Sequence, residues 1–176
     1  MKKFAPLSGM PDFLPADTML YNTIINTLTS IFEKHGYVPI RTPSIESMDV
    51  LKGKYGEEVD KLIYRVLPSV EQQMQDEKEA DRGLIYDLTV PLARFFATHR
   101  NEIILPFRRY QIQNVWRGER PQKGRYRQFT QCDFDIIGSS SILCEVEILL
   151  IVHEILEKLN LSTDASILLN HRQILI

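Results

Sequence analysis

The chain has 176 residues, of which 44% are hydrophobic and 25% are charged, and its formal net charge is -2. This composition excludes a disordered or fibrous protein and predicts one globular domain spanning residues 1–176. The near-neutral charge excludes a uniformly basic surface for nucleic acid, so any such contact must come from a local patch.

The N-terminal residues lack the features of a targeting segment. The start MKKFAPLSGMPDFLPADT has no continuous apolar run, which predicts neither a signal peptide nor a membrane anchor. Cys132 and Cys144 are isolated and have no metal-ligand spacing, which favours free thiols in a reducing compartment. The sequence therefore predicts a cytoplasmic protein without a metal site.

The first predicted helix follows an extended, proline-rich segment over residues 1–16 that we expect to lie on the surface. Asp17 is the predicted N-cap, and Gly36 ends the helix. His35 is interpreted as a helix-terminal residue rather than a metal ligand. Apolar residues recur at helical spacing and predict one buried stripe, formed by Leu20, Ile24, Leu28, Ile31 and Phe32.

Short elements alternate with polar stretches through the middle of the chain. In order, we predict a short strand over 37–40, a helical turn over 44–50, a loop over 52–60, a strand over 62–67, a solvent-exposed excursion over 69–83 and a strand over 84–88. Pro39 indicates that the first of these strands lies at a sheet edge.

A further helix begins at Thr89, and two polar side chains lie at its start. Asp87 and Thr89 are predicted to face the same way. They either cap the helix or accept hydrogen bonds from the ammonium group of an amino acid, because a carboxylate and a hydroxyl are suitable acceptors. The sequence leaves both interpretations open.

The stretch over residues 107–138 is the centre of the chain. Predicted strands over 109–116 and 127–137 flank a loop that carries five basic residues and one acid between Arg117 and Arg127. Guanidinium groups on such a loop suit a compact polyanion such as a nucleoside triphosphate, since the planar fork holds phosphate oxygens two at a time. The alternative is a solvated surface loop.

Unlike polar groups fall on one predicted face of this region. Odd-numbered positions supply phosphate donors, acceptors and a flat ring, namely Arg117, Glu119, Arg125, Phe129, Gln131 and Asp135. Asp133 shares this face, while Cys132, Phe134 and Ile136 are predicted to form the buried side. A strand made only for packing would not carry three polar groups on one face, so this face meets either solvent or a ligand. Because Phe129 lies at its start, we predict a ligand.

The last elements are a helix beginning near 139–141 and a strand over 165–169. The apolar face of the helix is predicted to consist of Val146, Leu149, Leu150, Val152 and Leu156. Because the chain stops at HRQILI without a helix or strand breaker, we expect it to be either part of something longer or an unusual short form.

Four stretches, in chain order, resemble the class II histidyl-tRNA synthetases: GMPDFLP, GYVPIRTPSIE, YDLTVPLAR and WRGERPQKGRYRQFTQCDFDIIG. The resemblance implies an α+β fold with an antiparallel sheet flanked by helices, and a homodimer formed through residues 17–43. It implies activation of histidine with ATP and Mg²⁺ to histidyl-adenylate, followed by transfer to tRNA(His).

The resemblance also implies roles for individual residues in binding ATP. Arg117 would hold the α-phosphate and the histidine carboxylate, where negative charge grows in the transition state. Arg125 would bind the γ-phosphate, and Phe129 would stack on adenine. Glu119 would lie near the adenine or the arginines of the loop.

The implied histidine pocket uses the remaining polar residues. Asp87, Thr89 and Gln131 would receive the ammonium group, and Asp135 would accept a hydrogen bond from the imidazole. No residue is required as a nucleophile or base, because the carboxylate of histidine itself attacks and positioning lowers the barrier.

The sequence departs from the family pattern by what it does not contain. It shows no third class II motif, no histidine-specific segment and no anticodon-binding domain. We therefore expect this chain alone to bind ATP weakly and to activate histidine poorly or not at all.

Two other classes of function remain open. A non-catalytic relative, such as the regulatory subunit of ATP phosphoribosyltransferase, would bind histidine without needing Arg117, Arg125 and Phe129 together. A general RNA or phosphate-binding module would use the basic loop alone, with an affinity that falls steeply with salt.

Overall fold

The computed structural model describes residues 4–52, 60–67 and 81–171. Its helices are α1 (Pro15–Lys34), α2 (Met48–Lys52), α3 (Thr89–His99) and α4 (Leu143–Lys158). Its strands are β1 (Val38–Pro39), β2 (Ile45–Ser47), β3 (Arg65–Val66), β4 (Arg82–Leu84), β5 (Phe107–Trp116) and β6 (Gln128–Ile137). The predicted loop over 52–60 and the acidic excursion over 69–83 lie largely outside the described residues.

The strands form two small sheets, with the orders β1-β5-β6 and β2-β4-β3. The central pair, β5 and β6, is antiparallel from Phe107 opposite Ile137 to Trp116 opposite Gln128, which confirms the predicted pair of long strands. Strand β1 joins β5 in parallel at the sheet edge, where the missing N–H of Pro39 is tolerated. Helices and sheets together give the expected α+β fold.

One apolar cluster covers the face of the β5–β6 hairpin that carries Tyr110 and Phe134. Phe32 of α1 is fully buried in it, with ring centroids 5.2 Å from Tyr110 and 4.9 Å from Phe134. Ile151 of α4 is also fully buried in this cluster. Because α1 and α4 occupy this side, the polar residues of the hairpin lie on the opposite side.

A second apolar cluster joins the smaller sheet to the hairpin. It contains Met48, Leu51, Ile63, Ile85, Tyr86, Leu88 and Val115. Beside it, the buried Glu46 of β2 accepts hydrogen bonds from Nε and Nη2 of Arg94, both at 2.7 Å. This ion pair ties β2 to α3 and so fixes the helix that follows Asp87.

Helix α1 differs from the prediction at its start and in its buried stripe. It begins at Pro15 after the N-cap residue Leu14, and Asp17 lies in the first turn without capping it. Ile31 and Phe32 are buried, but Leu20 is 63% exposed and Ile24 is 36% exposed. Helical periodicity identifies an apolar stripe, whereas burial also requires a neighbouring element over its whole length.

Two other secondary-structure predictions and one prediction of a buried face were wrong, at least in part. Of the predicted helical turn over 44–50, residues 45–47 instead form β2 because they pair with β4, and the helix α2 begins only at Met48. Residues 165–169 form no strand, since no described segment pairs with them. In α4 the fully buried residue is Ile151, while Val146 and Leu150 are exposed. Apolar residues lie on most sides of this helix, so the sequence alone does not show which side is buried.

Two smaller findings complete the fold. Cys132 is exposed, whereas Phe134 and Ile136 pack in the apolar cluster as predicted. None of the helices within residues 4–52, 60–67 and 81–171 combines the length and apolarity that crossing a bilayer requires.

Candidate active site

The odd-numbered side chains of β5 and β6 form a polar face on the hairpin. The strand register places Arg109 opposite Asp135, Gln111 opposite Asp133, and Gln113 opposite Gln131. We call these six residues the polar face. Their common orientation follows from the two-residue repeat of a strand, and it confirms that Gln131, Asp133 and Asp135 share one side.

The two glutamines of β5 form hydrogen bonds with the segment that precedes β2. Gln111, 1% exposed, donates from Nε2 to Oγ1 of Thr42 at 2.9 Å and to Oε1 of Gln113 at 2.8 Å. Gln113 donates to the carbonyl oxygen of Thr42 at 3.0 Å and to Oγ of Ser44 at 3.2 Å. These hydrogen bonds fix the edge of the polar face and were not foreseen from the sequence.

Asp135 and Arg109 form an ion pair across the hairpin. Nη2 of Arg109 contacts Oδ2 of Asp135, and Arg109 is fully buried while the Asp135 side chain is 44% exposed. Burial raises the pKa of Asp135, the Arg109 guanidinium lowers it, and the neighbouring Asp133 carboxylate raises it. The pair thus leaves one side of the Asp135 carboxyl accessible while the other side meets a buried cation.

Gln131 and Asp133 are joined on the same strand. Nε2 of Gln131 donates to both carboxylate oxygens of Asp133 at 3.0 Å. Within the described part of the chain, Oε1 of Gln131 is buried without a hydrogen-bond partner. A buried amide oxygen of this kind is an acceptor available to a ligand.

Arg117 follows β5 and lies on the same side as the polar face. Its Nε donates to the carbonyl oxygen of Tyr86 at 3.0 Å, and its guanidinium carbon lies 5.0 Å from the ring centroid of Phe129. The latter distance is that of a cation–π contact, which holds the guanidinium plane near the ring. Arg117 and Phe129 are therefore neighbours, as the predicted common face requires.

Asp87 approaches this group from the start of α3. Its Oδ1 accepts a hydrogen bond from the backbone N–H of Val90 at 3.1 Å, so Asp87 satisfies one N–H of the first turn although Leu88 is the N-cap residue. Burial raises the pKa of Asp87, the Val90 N–H and the Arg117 guanidinium lower it, and Asp133 raises it. Asp87 thus lies near both Arg117 and Asp133, while the Thr89 side chain beside it is exposed.

Residues 117–127 form the basic loop, and the structure anchors both of its arms. The backbone N–H of Gly118 donates to the carbonyl oxygen of Leu62 at 2.8 Å, and Arg117 N–H donates to the carbonyl oxygen of Arg127 at 2.8 Å. At the tip, Nε of Arg125 donates to the carboxylate of Glu119 at 2.9 Å. The Arg125 side chain is 58% exposed, so it remains accessible to a ligand.

Residues 7–11, which we call the N-terminal strap, contact the end of the basic loop that leads into β6. The carbonyl oxygen of Gly9 accepts hydrogen bonds from the backbone N–H groups of Arg127 at 2.8 Å and Gln128 at 3.1 Å. Nε of Arg127 in turn donates to the carbonyl oxygen of Glu119 at 2.9 Å. The strap therefore has a structural role that its prediction as a surface segment missed.

Gly9 is required at this position for two reasons, and a Gly9→Ala variant tests both. Its φ is +82°, and a Cβ atom there would lie 2.9 Å from Cγ of Arg127. The left-handed conformation alone costs an alanine about 1–2 kcal/mol. We expect Gly9→Ala to lose more unfolding free energy than that and to speed amide exchange at Arg127 and Gln128.

Gly36→Ala is the matched control, because Gly36 has φ +77° and nothing within 4 Å of an added Cβ. It should show only the conformational cost in chemical denaturation, with no change in amide exchange at Arg127. Equal losses of stability in the two variants would contradict the close contact with Arg127.

Two cavities border this group of residues, one beside Phe129 and the other beside Gln113. One of about 320 Å³ is lined by residues of the strap, α1 and the loop end of the hairpin, including Phe13, Tyr21 and Tyr126. The other, of about 470 Å³, lies between α1 and the segment at Arg41 and Thr42. Neither is lined by Arg117, Gln131 or Asp135, so the candidate site is defined by the convergence of its polar groups.

Comparison with known proteins gives the class and then the family. A family profile described as Histidyl-tRNA synthetase matches residues 9–175. A histidine--tRNA ligase of Cytophaga hutchinsonii is 46% identical over 188 residues, covering 99% of this chain and 41% of the relative. The chain thus spans about two fifths of the length of that curated relative.

Solved structures agree with the sequence matches. The histidyl-tRNA synthetase from Nostoc sp. PCC 7120 superposes with a TM-score of 0.76 at 38% identity, covering 90% of this chain and 35% of that one. A Bacillus halodurans protein titled ATP phosphoribosyltransferase regulatory subunit/histidyl-tRNA synthetase gives a TM-score of 0.74 at 24% identity, covering 91% and 39%. The second likeness shows the fold alone.

These findings define the fold as that of the class II aminoacyl-tRNA synthetases. Within that class, the chain belongs to the histidyl-tRNA synthetase family and corresponds to the N-terminal part of its catalytic domain.

Proposed function

We propose that this chain acts as part of a histidine--tRNA ligase that activates histidine with ATP and transfers it to tRNA(His). The observation that carries the proposal is the convergence of Arg117, Phe129, Gln131 and Asp135 on one side of the hairpin. A cation, an aromatic ring, an amide and a carboxylate together match a nucleotide beside an amino acid.

In the proposed activation step, a carboxylate oxygen of histidine attacks the α-phosphorus of ATP. A bond from that oxygen to phosphorus forms, the bond from phosphorus to the bridging oxygen breaks, and pyrophosphate leaves with no proton transferred. Arg117 holds the α-phosphate and the carboxylate, where its planar donors stabilise the growing charge. Arg125 binds the γ-phosphate, and Glu119 orients Arg125 through their 2.9 Å contact.

Adenine and Mg²⁺ complete the proposed nucleotide site. Phe129 stacks on adenine. Its contact with the Arg117 guanidinium places the residue that binds the base next to the residue that binds the α-phosphate. Mg²⁺ enters with the triphosphate as part of the substrate, because Mg²⁺ is usually bound by substrate phosphates and water with few protein ligands.

Histidine is recognised by the acidic and amide side chains. Asp87, Thr89 and Gln131 receive its ammonium group, to which the unpaired Oε1 of Gln131 is a suitable acceptor. Asp135 accepts a hydrogen bond from the imidazole, using the side of its carboxyl that does not contact Arg109.

We further propose that residues 1–176 form one domain, which acts as a homodimer in the cytoplasm. Both apolar clusters include a residue of β5, Val115 in one and Tyr110 in the other, which supports a single unit. Exposed Leu20 and Ile24 of α1 support a dimer interface within residues 17–43. The free cysteines support a reducing compartment.

Isothermal calorimetry with ATP and histidine, added separately and together, tests the proposed function. We expect each ligand to strengthen binding of the other, and Asp135→Asn to weaken histidine binding by about ten- to a hundredfold. Asp164→Asn, a change at an exposed position after α4, is the control and should bind histidine normally.

Other outcomes would favour the alternatives. Histidine binding that ignores ATP would favour a non-catalytic, regulatory relative. Binding of RNA without histidine, weakening steeply with salt, would favour a nucleic-acid module.

A further inference from the structure

The polar face contains a buried cation, Arg109, to which the proposed function assigns no role. Arg109 is 1% exposed, and within the described residues its Nε and Nη1 have no hydrogen-bond partner. Its Nη2 contacts the Asp135 carboxylate. A buried guanidinium is costly unless neighbouring charges compensate it. The carboxylates of Asp135 and Asp133 are the compensating charges near Arg109.

The surroundings of Asp135 would favour a neutral carboxyl if Arg109 were absent. Asp133 lies two residues away on the same face, and burial and this like charge both raise the pKa of Asp135. Arg109 alone among the groups acting on Asp135 opposes them in the described structure. Asp133 is in turn close to Asp87, whose pKa Arg117 lowers, so Arg117 compensates a different carboxylate.

We propose that Arg109 is a positioning residue for histidine recognition, which fixes the orientation of the Asp135 carboxylate and keeps it ionised as the acceptor for the imidazole N–H. This inference rests on the proposed function of the site. Ionised Asp135 has only acceptor positions, whereas a protonated carboxyl presents a donor that an imidazole N–H cannot use. Arg109 therefore contributes to selectivity without touching the substrate.

The register supports an orienting role in addition to a charge effect. Arg109 and Asp135 are directly opposite each other on β5 and β6, so their backbone positions are fixed by the ladder that joins the two strands. Gln111 and Gln113, the next polar residues on the same side of β5, are bound to Thr42. The Arg109 side chain thus projects from a well-anchored strand, which limits the positions available to the carboxylate.

The test uses the 176-residue chain and the variants Arg109→Met, Arg109→Lys and Arg109→Met/Asp135→Asn. Histidine binding is measured by calorimetry from about pH 6 to about pH 9, a range in which free histidine also titrates. The ratio of the variant Kd to the wild-type Kd is taken at each pH, because the titration of the ligand cancels in this ratio. Carbon NMR of the Asp135 carboxyl reports its ionisation without ligand.

We expect Arg109→Met to bind histidine about tenfold more weakly than wild type at the acidic end, with the ratio falling as pH rises to a smaller value that reflects the lost orientation of the carboxylate. The Asp135 carboxyl signal should titrate at higher pH than in wild type. Arg109→Lys should restore most of the binding at acidic pH. The double variant should bind weakly at every pH, because it lacks the ionisable carboxyl.

A ratio that stays constant with pH, or an Asp135 signal that titrates as in wild type, would overturn the proposal and assign Arg109 a packing role. A thermal melt of each variant identifies loss of folding, and the double variant keeps the comparison valid because it leaves neither charge unpaired. Failure of the wild-type chain to bind histidine at any pH would instead overturn the proposed function, and the role of Arg109 in recognition with it.

Discussion

Replacing Arg117 with alanine is expected to weaken ATP binding by about ten- to a hundredfold, because charge-assisted hydrogen bonds to phosphate contribute about 1.5–3 kcal/mol. Two contacts fix the position of the Arg117 guanidinium before an anion binds. Its Nε donates to the carbonyl oxygen of Tyr86, and its guanidinium carbon lies over the Phe129 ring. Loss of the side chain removes both the charge and the support for the ring.

Isothermal calorimetry with ATP measures the effect, and two variants make it specific. Arg100→Ala removes an exposed arginine at the end of α3 and should leave ATP binding unchanged. Arg117→Lys keeps the charge but loses the planar fork, so it should restore only part of the affinity. Wild-type affinity in Arg117→Ala would remove the basis for placing the α-phosphate at this side chain.

Replacing Phe32 with alanine is expected to reduce the free energy of unfolding by about 3–5 kcal/mol, as is typical for a buried phenylalanine. Phe32 is fully buried and contacts three rings, those of Tyr37, Tyr110 and Phe134. Two of these residues belong to the hairpin whose opposite side is the polar face. Since small domains are stable by about 5–15 kcal/mol, the loss is a large fraction of the total.

Chemical denaturation gives the magnitude, and Phe4→Ala is the matched control because Phe4 is 96% exposed. The control should change the unfolding free energy by less than about 0.5 kcal/mol. A loss below about 1 kcal/mol in Phe32→Ala would show that α1 does not depend on this cluster for its attachment to the hairpin.

The central hairpin is the part of the fold that the sequence predicted best. Strand-forming residues on either side of the basic loop gave both long strands within two residues of their observed ends. The alternation of polar and apolar residues in β6 also placed Gln131, Asp133 and Asp135 on one face. Arg109 was missed, although pairing the two strands in register would have placed it opposite Asp135.

Elements that depend on a distant partner were predicted poorly. Residues 45–47 form a strand because β4 supplies hydrogen-bonding partners, and residues 165–169 do not because no described strand lies beside them. Likewise, Leu20 and Ile24 have the helical spacing of a buried stripe but are exposed. Local propensity predicts what a segment is able to form, and its neighbours determine whether it does so.

The sequence by itself determined the family, the long strands and the chemical character of the candidate site, because these depend on residue type and on the local alternation of side chains. Tertiary structure alone decided that Gly9 holds the basic loop, that Glu46 and Arg94 attach α3, and that Arg109 is buried where it meets Asp135. Those contacts join residues 26 or more positions apart in the chain. Their formation depends on how the elements pack, and no local pattern encodes it.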